Sequence, residues 1–123
     1  MILSKNFNLA EFACNDGTPV PESKICNVQV LALNLQKLRD AVGKPIRILS
    51  GYRTPAWNAK VGGASKSEHL NARASDIQID GMIPKQVHAK ILELIKSKDM
   101  QDGGLSLYPT FVHYDVGTPR RWG

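Results

Sequence analysis

Residues 65–79 read SKSEHLNARASDIQI, and the way this stretch folds decides how the rest of the chain is read. From residue 76 onward polar and apolar residues alternate. Asp76, Gln78 and Asp80 fall on one face of an extended strand, and Ile77 and Ile79 fall on the other. Ahead of the strand, Ser67 and His69 are followed by the small residues Ala72, Ala74 and Ser75. An imidazole and a carboxylate presented this way are either a hydrogen-bonded pair in an ordinary fold or the beginning of a metal site.

A second stretch, TFVHYDV at 110–116, carries the same alternation. Phe111, His113 and Asp115 share one face, while Val112, Tyr114 and Val116 face the opposite way, where they can join a core. If the two strands are neighbours, Asp76 and His113 converge, and His69 in the preceding loop completes the set. Two histidines, one carboxylate and an open fourth position make up the donor set of a catalytic zinc ion. The third histidine, His88, sits beside Val87 on a helix with no carboxylate at ligand spacing, and is read as a surface or packing residue.

The other segments supply a small frame. NLAEFA (8–13) opens with Asn8 and has Glu11 three residues on, a capping box on a short helix. In NVQVLALNLQKLRDAVG, the residues Val28, Leu31, Leu35, Leu38 and Val42 step by three and four, which predicts an amphipathic helix stopped at Gly43. PIRILSGY is a strand, TPAWNAKV a short helix with Pro55 in its first turn, and IPKQVHAKILELIKSK a second amphipathic helix with Val87, Ile91, Leu94 and Ile95 inward. GGLSLYP and TFVHYDVG read as a closing hairpin. The expectation is one α+β domain over residues 1–123, with a mainly antiparallel sheet and flanking helices.

Composition narrows the class of partner. With 123 residues, 42% hydrophobic and 22% charged, the chain is an ordinary globular protein. Its net charge of +5 suits a polyanionic partner such as nucleic acid, an acidic lipid surface or a bacterial wall polymer. The basic residues are scattered, and KSKD and PRR lack the interleaved aromatics of a single-strand binder, so nucleic acid is not expected. No apolar run of about 18 residues exists to span a membrane. MILSKNFNLAEFAC lacks the pattern of a signal peptide, so the chain is expected in the cytoplasm as synthesised, and as a monomer. Cys14 and Cys26 fit no metal or redox spacing and are expected as reduced, partly buried thiols rather than a disulfide.

SEHLNARASD resembles the S-x-H-x-x-G-x-A-x-D signature of the zinc D-Ala-D-Ala carboxypeptidase family, with Ser67, His69, Ala74 and Asp76 in place and Ala72 where the glycine usually stands. SGYRTPAWNAKVGGASKSEHL and FVHYDVG resemble two further segments of that family in the right order, and the similarity runs from the long helix to RRWG. Within that family the sequence resembles the compact single-domain branch, which includes phage endolysins and bacterial wall hydrolases. The resemblance implies His69, Asp76 and His113 as ligands of Zn2+, which polarises the scissile carbonyl and lowers the pKa of a bound water to about 7. It implies Arg53 as the group holding a substrate carboxylate or carbonyl, a task suited to a guanidinium fork. Ser67 either bonds within its own loop or contacts substrate, and Tyr108 and Trp57 are candidates to line the cleft.

The resemblance leaves one catalytic role unfilled. Relatives place an acid or histidine two or three residues before the last zinc histidine, and here those positions are Phe111 and Thr110. Asp115 is the remaining carboxylate, as general base or as the group that orients His113. The reading is therefore a zinc peptidase that hydrolyses a bond in peptidoglycan stem peptides, as a D-Ala-D-Ala carboxypeptidase or an L-Ala-D-Glu or cross-link endopeptidase, reaching the wall after release, for example by a phage holin. The alternative is a fold relative that keeps zinc without catalysis, as Hedgehog-type domains do, and serves as a wall or peptide binding module.

Overall fold

The computed structural model describes residues 1–123. A two-stranded ribbon of β1 (Ile2–Ser4) and β2 (Phe7–Asn8) leads into a 3₁₀ helix, Leu9–Phe12. Asn8 caps this helix through Ala10, and the Glu11 carboxylate accepts from the Asn8 amide at 2.7 Å, so the capping box is present. The long helix α1 (Ile25–Val42) ends at Gly43 in the left-handed conformation. Then follow β3 (Ile46–Ser50), α2 (Pro55–Lys60), β4 (Ala74–Ile79), α3 (Pro84–Lys96), β5 (Gly104–Leu107), β6 (Val112–Asp115) and a short β7 (Arg120–Trp122).

Five strands form one sheet in the order β3-β4-β6-β5-β7. All its pairings are antiparallel except β5 with β7. The expected α+β architecture and the closing hairpin are therefore what the chain adopts. β7 is an addition, since three residues after a Gly-Thr-Pro turn carry no strand periodicity of their own.

One core joins the sheet to its helices. Val28, Leu31, Leu35 and Leu38 of α1 pack with Val87 and Ile91 of α3 against Ile77, Leu105, Val112 and Tyr114 of the sheet. Burying each such aliphatic side chain is worth roughly 1.5–3 kcal/mol. Val42, Leu94 and Ile95 are only half-buried at the ends of their helices. With one sheet face committed to the core, Asp76 and Gln78 of β4 and His113 and Asp115 of β6 are directed to the other. Both cysteines are free thiols, Cys14 buried and Cys26 exposed rather than partly buried. No helix is long and apolar enough to cross a membrane.

Candidate metal centre

The register of the sheet places the site. Asp76 lies opposite His113 across β4 and β6, Ser50 lies opposite Asp76 across β3 and β4, and Ser106 lies opposite both His113 and Trp122. One cross-strand row thus runs Ser50, Asp76, His113, Ser106, Trp122 over all five strands. His69 joins it from a 3₁₀ turn, Glu68–Asn71, whose cap is the Ser67 hydroxyl accepting from the His69 amide at 3.1 Å. This turn ends at Ala72, which is buried and held at φ 57°, ψ 32°. That left-handed conformation explains why a glycine is usual here.

One ligand atom from each of His69, Asp76 and His113 lies within 4.8 Å of the other two, and all three residues are buried. His69 Nε2 and His113 Nδ1 approach Asp76 Oδ1 at 3.3 and 3.1 Å. The opposite nitrogen of each ring is already engaged. His69 Nδ1 donates to the Gly51 carbonyl at 2.7 Å, and His113 Nε2 donates to Asp115 Oδ2 at 2.7 Å. These bonds fix both tautomers and leave one lone pair per ring turned toward Asp76. Two imidazole nitrogens and a carboxylate oxygen, buried and backed in this way, fit a zinc ion with an open position.

The same contacts set the charges of the cluster. Burial alone would raise the Asp76 carboxyl, but the hydrogen bonds and charges of His113 and His69 outweigh it and hold the group well below the usual carboxylate range. Burial would lower His113, yet its bonds to Asp115 and Asp76 raise it. Asp115 is buried as well, and bonds from His113, Arg120 and the amides of Gly104 and Gly117 hold its carboxyl low.

Arg53 reaches Asp76 Oδ2 at 3.3 Å through Nη2, while Nε donates to Ser50 Oγ and Nη1 to Asn58 Oδ1, both at 3.2 Å. Asn58 is buried, and its amide also donates to the Ala64 carbonyl at 2.9 Å. A Cβ on Gly63 would come 2.0 Å from Asn58 Oδ1, so the Gly-Gly turn is what lets this clamp close. Sequence reading assigned no role to Ser50 or Asn58, because each is informative only once Arg53 is located.

The centre opens into a cleft of about 480 Å³. Arg53, Ser67 and Tyr108 line it as expected, together with Glu68, Arg120 and Trp122, which were not anticipated. Trp57 does not line it; its ring packs on the core with Lys60 above it. Asp115 does not line it either. It is fully buried on the far side of the His113 ring. Of the two roles open to Asp115, geometry corrects the first: a carboxylate behind a ligand ring has no path to the open position, so it is no base there. His88 is half-buried on α3, away from the centre.

A mainly antiparallel sheet with a buried His-Asp-His donor set at the floor of an open cleft is an arrangement that could hold a single metal ion of the hydrolytic type. The chain belongs to the peptidase M15 family, whose model matches residues 5–115. It is 33% identical over 97 residues to the peptidoglycan L,D-endopeptidase MepK of Escherichia coli K12, covering 72% of this chain and 50% of that protein. It is 37% identical over 78 residues to the zinc D-Ala-D-Ala carboxypeptidase of Streptomyces albus G, covering 58% of this chain and 31% of the relative. The chain therefore spans about half the length, or less, of these curated relatives.

Proposed function

We propose that the protein is a zinc-dependent peptidase that hydrolyses a peptide bond in the stem peptides of bacterial peptidoglycan. The observation that carries this reading is the convergence of His69, Asp76 and His113 within 4.8 Å at the floor of an open cleft. Membership of a peptidase family and the names of two of its relatives support the substrate class. Zinc held by these three residues would supply Lewis-acid polarisation of the scissile carbonyl and a water activated near neutral pH.

The chain's own residues supply the rest. Arg53 sits at the cleft wall with its fork fixed by Ser50, Asn58 and Asp76, so it is oriented before substrate arrives. We assign it the substrate carbonyl or carboxylate. Tyr108, stacked on Phe111 at 4.6 Å between ring centres, forms one side of the substrate channel. Ser67 holds the His69 turn and also faces the cleft. Glu68 is the one carboxylate of the cleft besides Asp76, and it takes the role of general base in place of Asp115.

Purified peptidoglycan incubated with the protein, with and without a zinc chelator, tests this directly. Fragments that appear only without chelator are expected, and their masses identify the bond. An absence of fragments from folded, zinc-loaded protein would instead favour the binding-module reading.

A further inference from the structure

Resting on the metal-centre reading above, we propose that the C-terminal edge strand is a working part of that centre. In it, Arg120 is a positioning residue that acts through Asp115 on His113, and Trp122 closes the open flank of the His113 ring. Arg120 Nη2 lies 2.7 Å from Asp115 Oδ2, and Nη1 lies 3.4 Å from Oδ1. Once His113 serves as a neutral ligand, Arg120 is the one cation in contact with this buried carboxylate. A buried carboxylate with no positive partner is costly, and it moves or neutralises. The bond that fixes the His113 tautomer therefore depends on a residue of the last strand.

The geometry around the pair points the same way. Gly104 stands opposite Arg120 in the β5–β7 register, and a Cβ there would lie 2.1 Å from Asp115 Oδ2 and 2.6 Å from Arg120 Nη2. The missing side chain is what allows the ion pair to form. Trp122 occupies the outer end of the row that contains His113, with ring centres 5.0 Å apart, and the Arg120 guanidinium lies 5.2 Å from the Trp122 ring centre. Trp122 Nε1 donates to the Tyr108 hydroxyl at 2.9 Å, which ties the cleft wall to the same strand. Arg121 serves as an internal contrast: its guanidinium bonds the Gly103 carbonyl and Asp102 rather than the Asp115 carboxylate.

Zinc affinity of the metal-stripped protein, measured by competition with a chelating dye, tests the proposal without relying on activity. Arg120→Gln keeps the aliphatic stem and is expected to weaken zinc binding about 10–100-fold, the range for outer partners of a ligand. Arg120→Lys should recover most of that loss, and Arg121→Gln should bind like the parent. Because Arg120 and Asp115 act in series, Arg120→Gln combined with Asp115→Asn should bind no more weakly than Asp115→Asn alone. Parental affinity in folded Arg120→Gln, multiplying losses in the double variant, or an equal loss in Arg121→Gln would overturn the proposal. If Arg120→Gln does not fold, Arg120→Met measured beside Arg120→Lys decides: weaker zinc binding in Arg120→Met that Arg120→Lys largely recovers upholds the role, and equal affinity in the two refutes it. His69→Ala separates the two levels. If it still binds zinc, the centre itself has been misassigned; if it loses zinc while Arg120→Gln does not, only this inference fails.

Discussion

Asp115 approaches His113 from the side of the ring opposite Asp76, with Oδ2 2.7 Å from Nε2. That one contact converts a carboxylate on the ligand-bearing face of β6 from a potential base into a fixture of the ligand. We expect Asp115→Asn to weaken zinc binding about 10–100-fold while activity at saturating zinc falls less, since the amide keeps the shape but not the charge. Parallel zinc titration and turnover measurements check this.

Glu68→Gln should show the converse. It leaves the three donors intact and removes the other carboxylate of the cleft. Zinc affinity should match the parent while kcat falls by about 10²–10⁴, the usual contribution of a general base. Full activity in this variant would remove Glu68 from the mechanism.

Arg53→Ala removes a fork that holds Asp76 on one side and faces the cleft on the other. The expected result is a loss of about 10²–10³ in kcat/KM, as for deletion of a preorganised donor. Arg53→Lys should restore little of it, because an ammonium cannot reach Ser50, Asn58 and Asp76 together.

Ala72 carries a backbone conformation that costs an L-residue about 1–2 kcal/mol. Ala72→Gly relieves it but gives up a buried methyl and adds unfolded-state entropy of about 0.5–1 kcal/mol. The net change should be within about 1 kcal/mol of zero. Ala72→Val should destabilise clearly and loosen the His69 turn, because β-branching is strained at positive φ. Urea midpoints of the two variants provide the comparison.

The zinc-free protein should be acid-sensitive. Despite burial, hydrogen bonds hold Asp76 and Asp115 below their ordinary value of 3.8 when folded. Depressed carboxyls contribute stability that is complete above that ordinary value and is lost as pH falls through the folded values. Urea midpoints should therefore fall as pH drops from about 4 downward, less steeply in Asp115→Asn.

How much of this was legible in the sequence depended on periodicity. The alternation in 76–80 and 112–116 placed Asp76, His113 and Asp115 on their strand faces, and the three-four stepping of Val28 to Leu38 located α1. The choice between roles for Asp115 was not legible. A strand face names the side on which a carboxylate stands, but not whether it lies before or behind a neighbouring ring. β7 was illegible because its pairing with β5 is parallel and its three residues, two of them arginines, show no alternation. The correct aromatic wall, Trp122 rather than Trp57, followed from that pairing alone.

On this reading His69, Asp76 and His113 together hold one zinc ion. Calorimetric titration of the metal-stripped protein with zinc tests it most directly. The account predicts one saturable equivalent in the parent and none over the same range in Asp76→Ala and His69→Ala. Failure of the folded parent to bind, or unchanged binding in both variants, would contradict it.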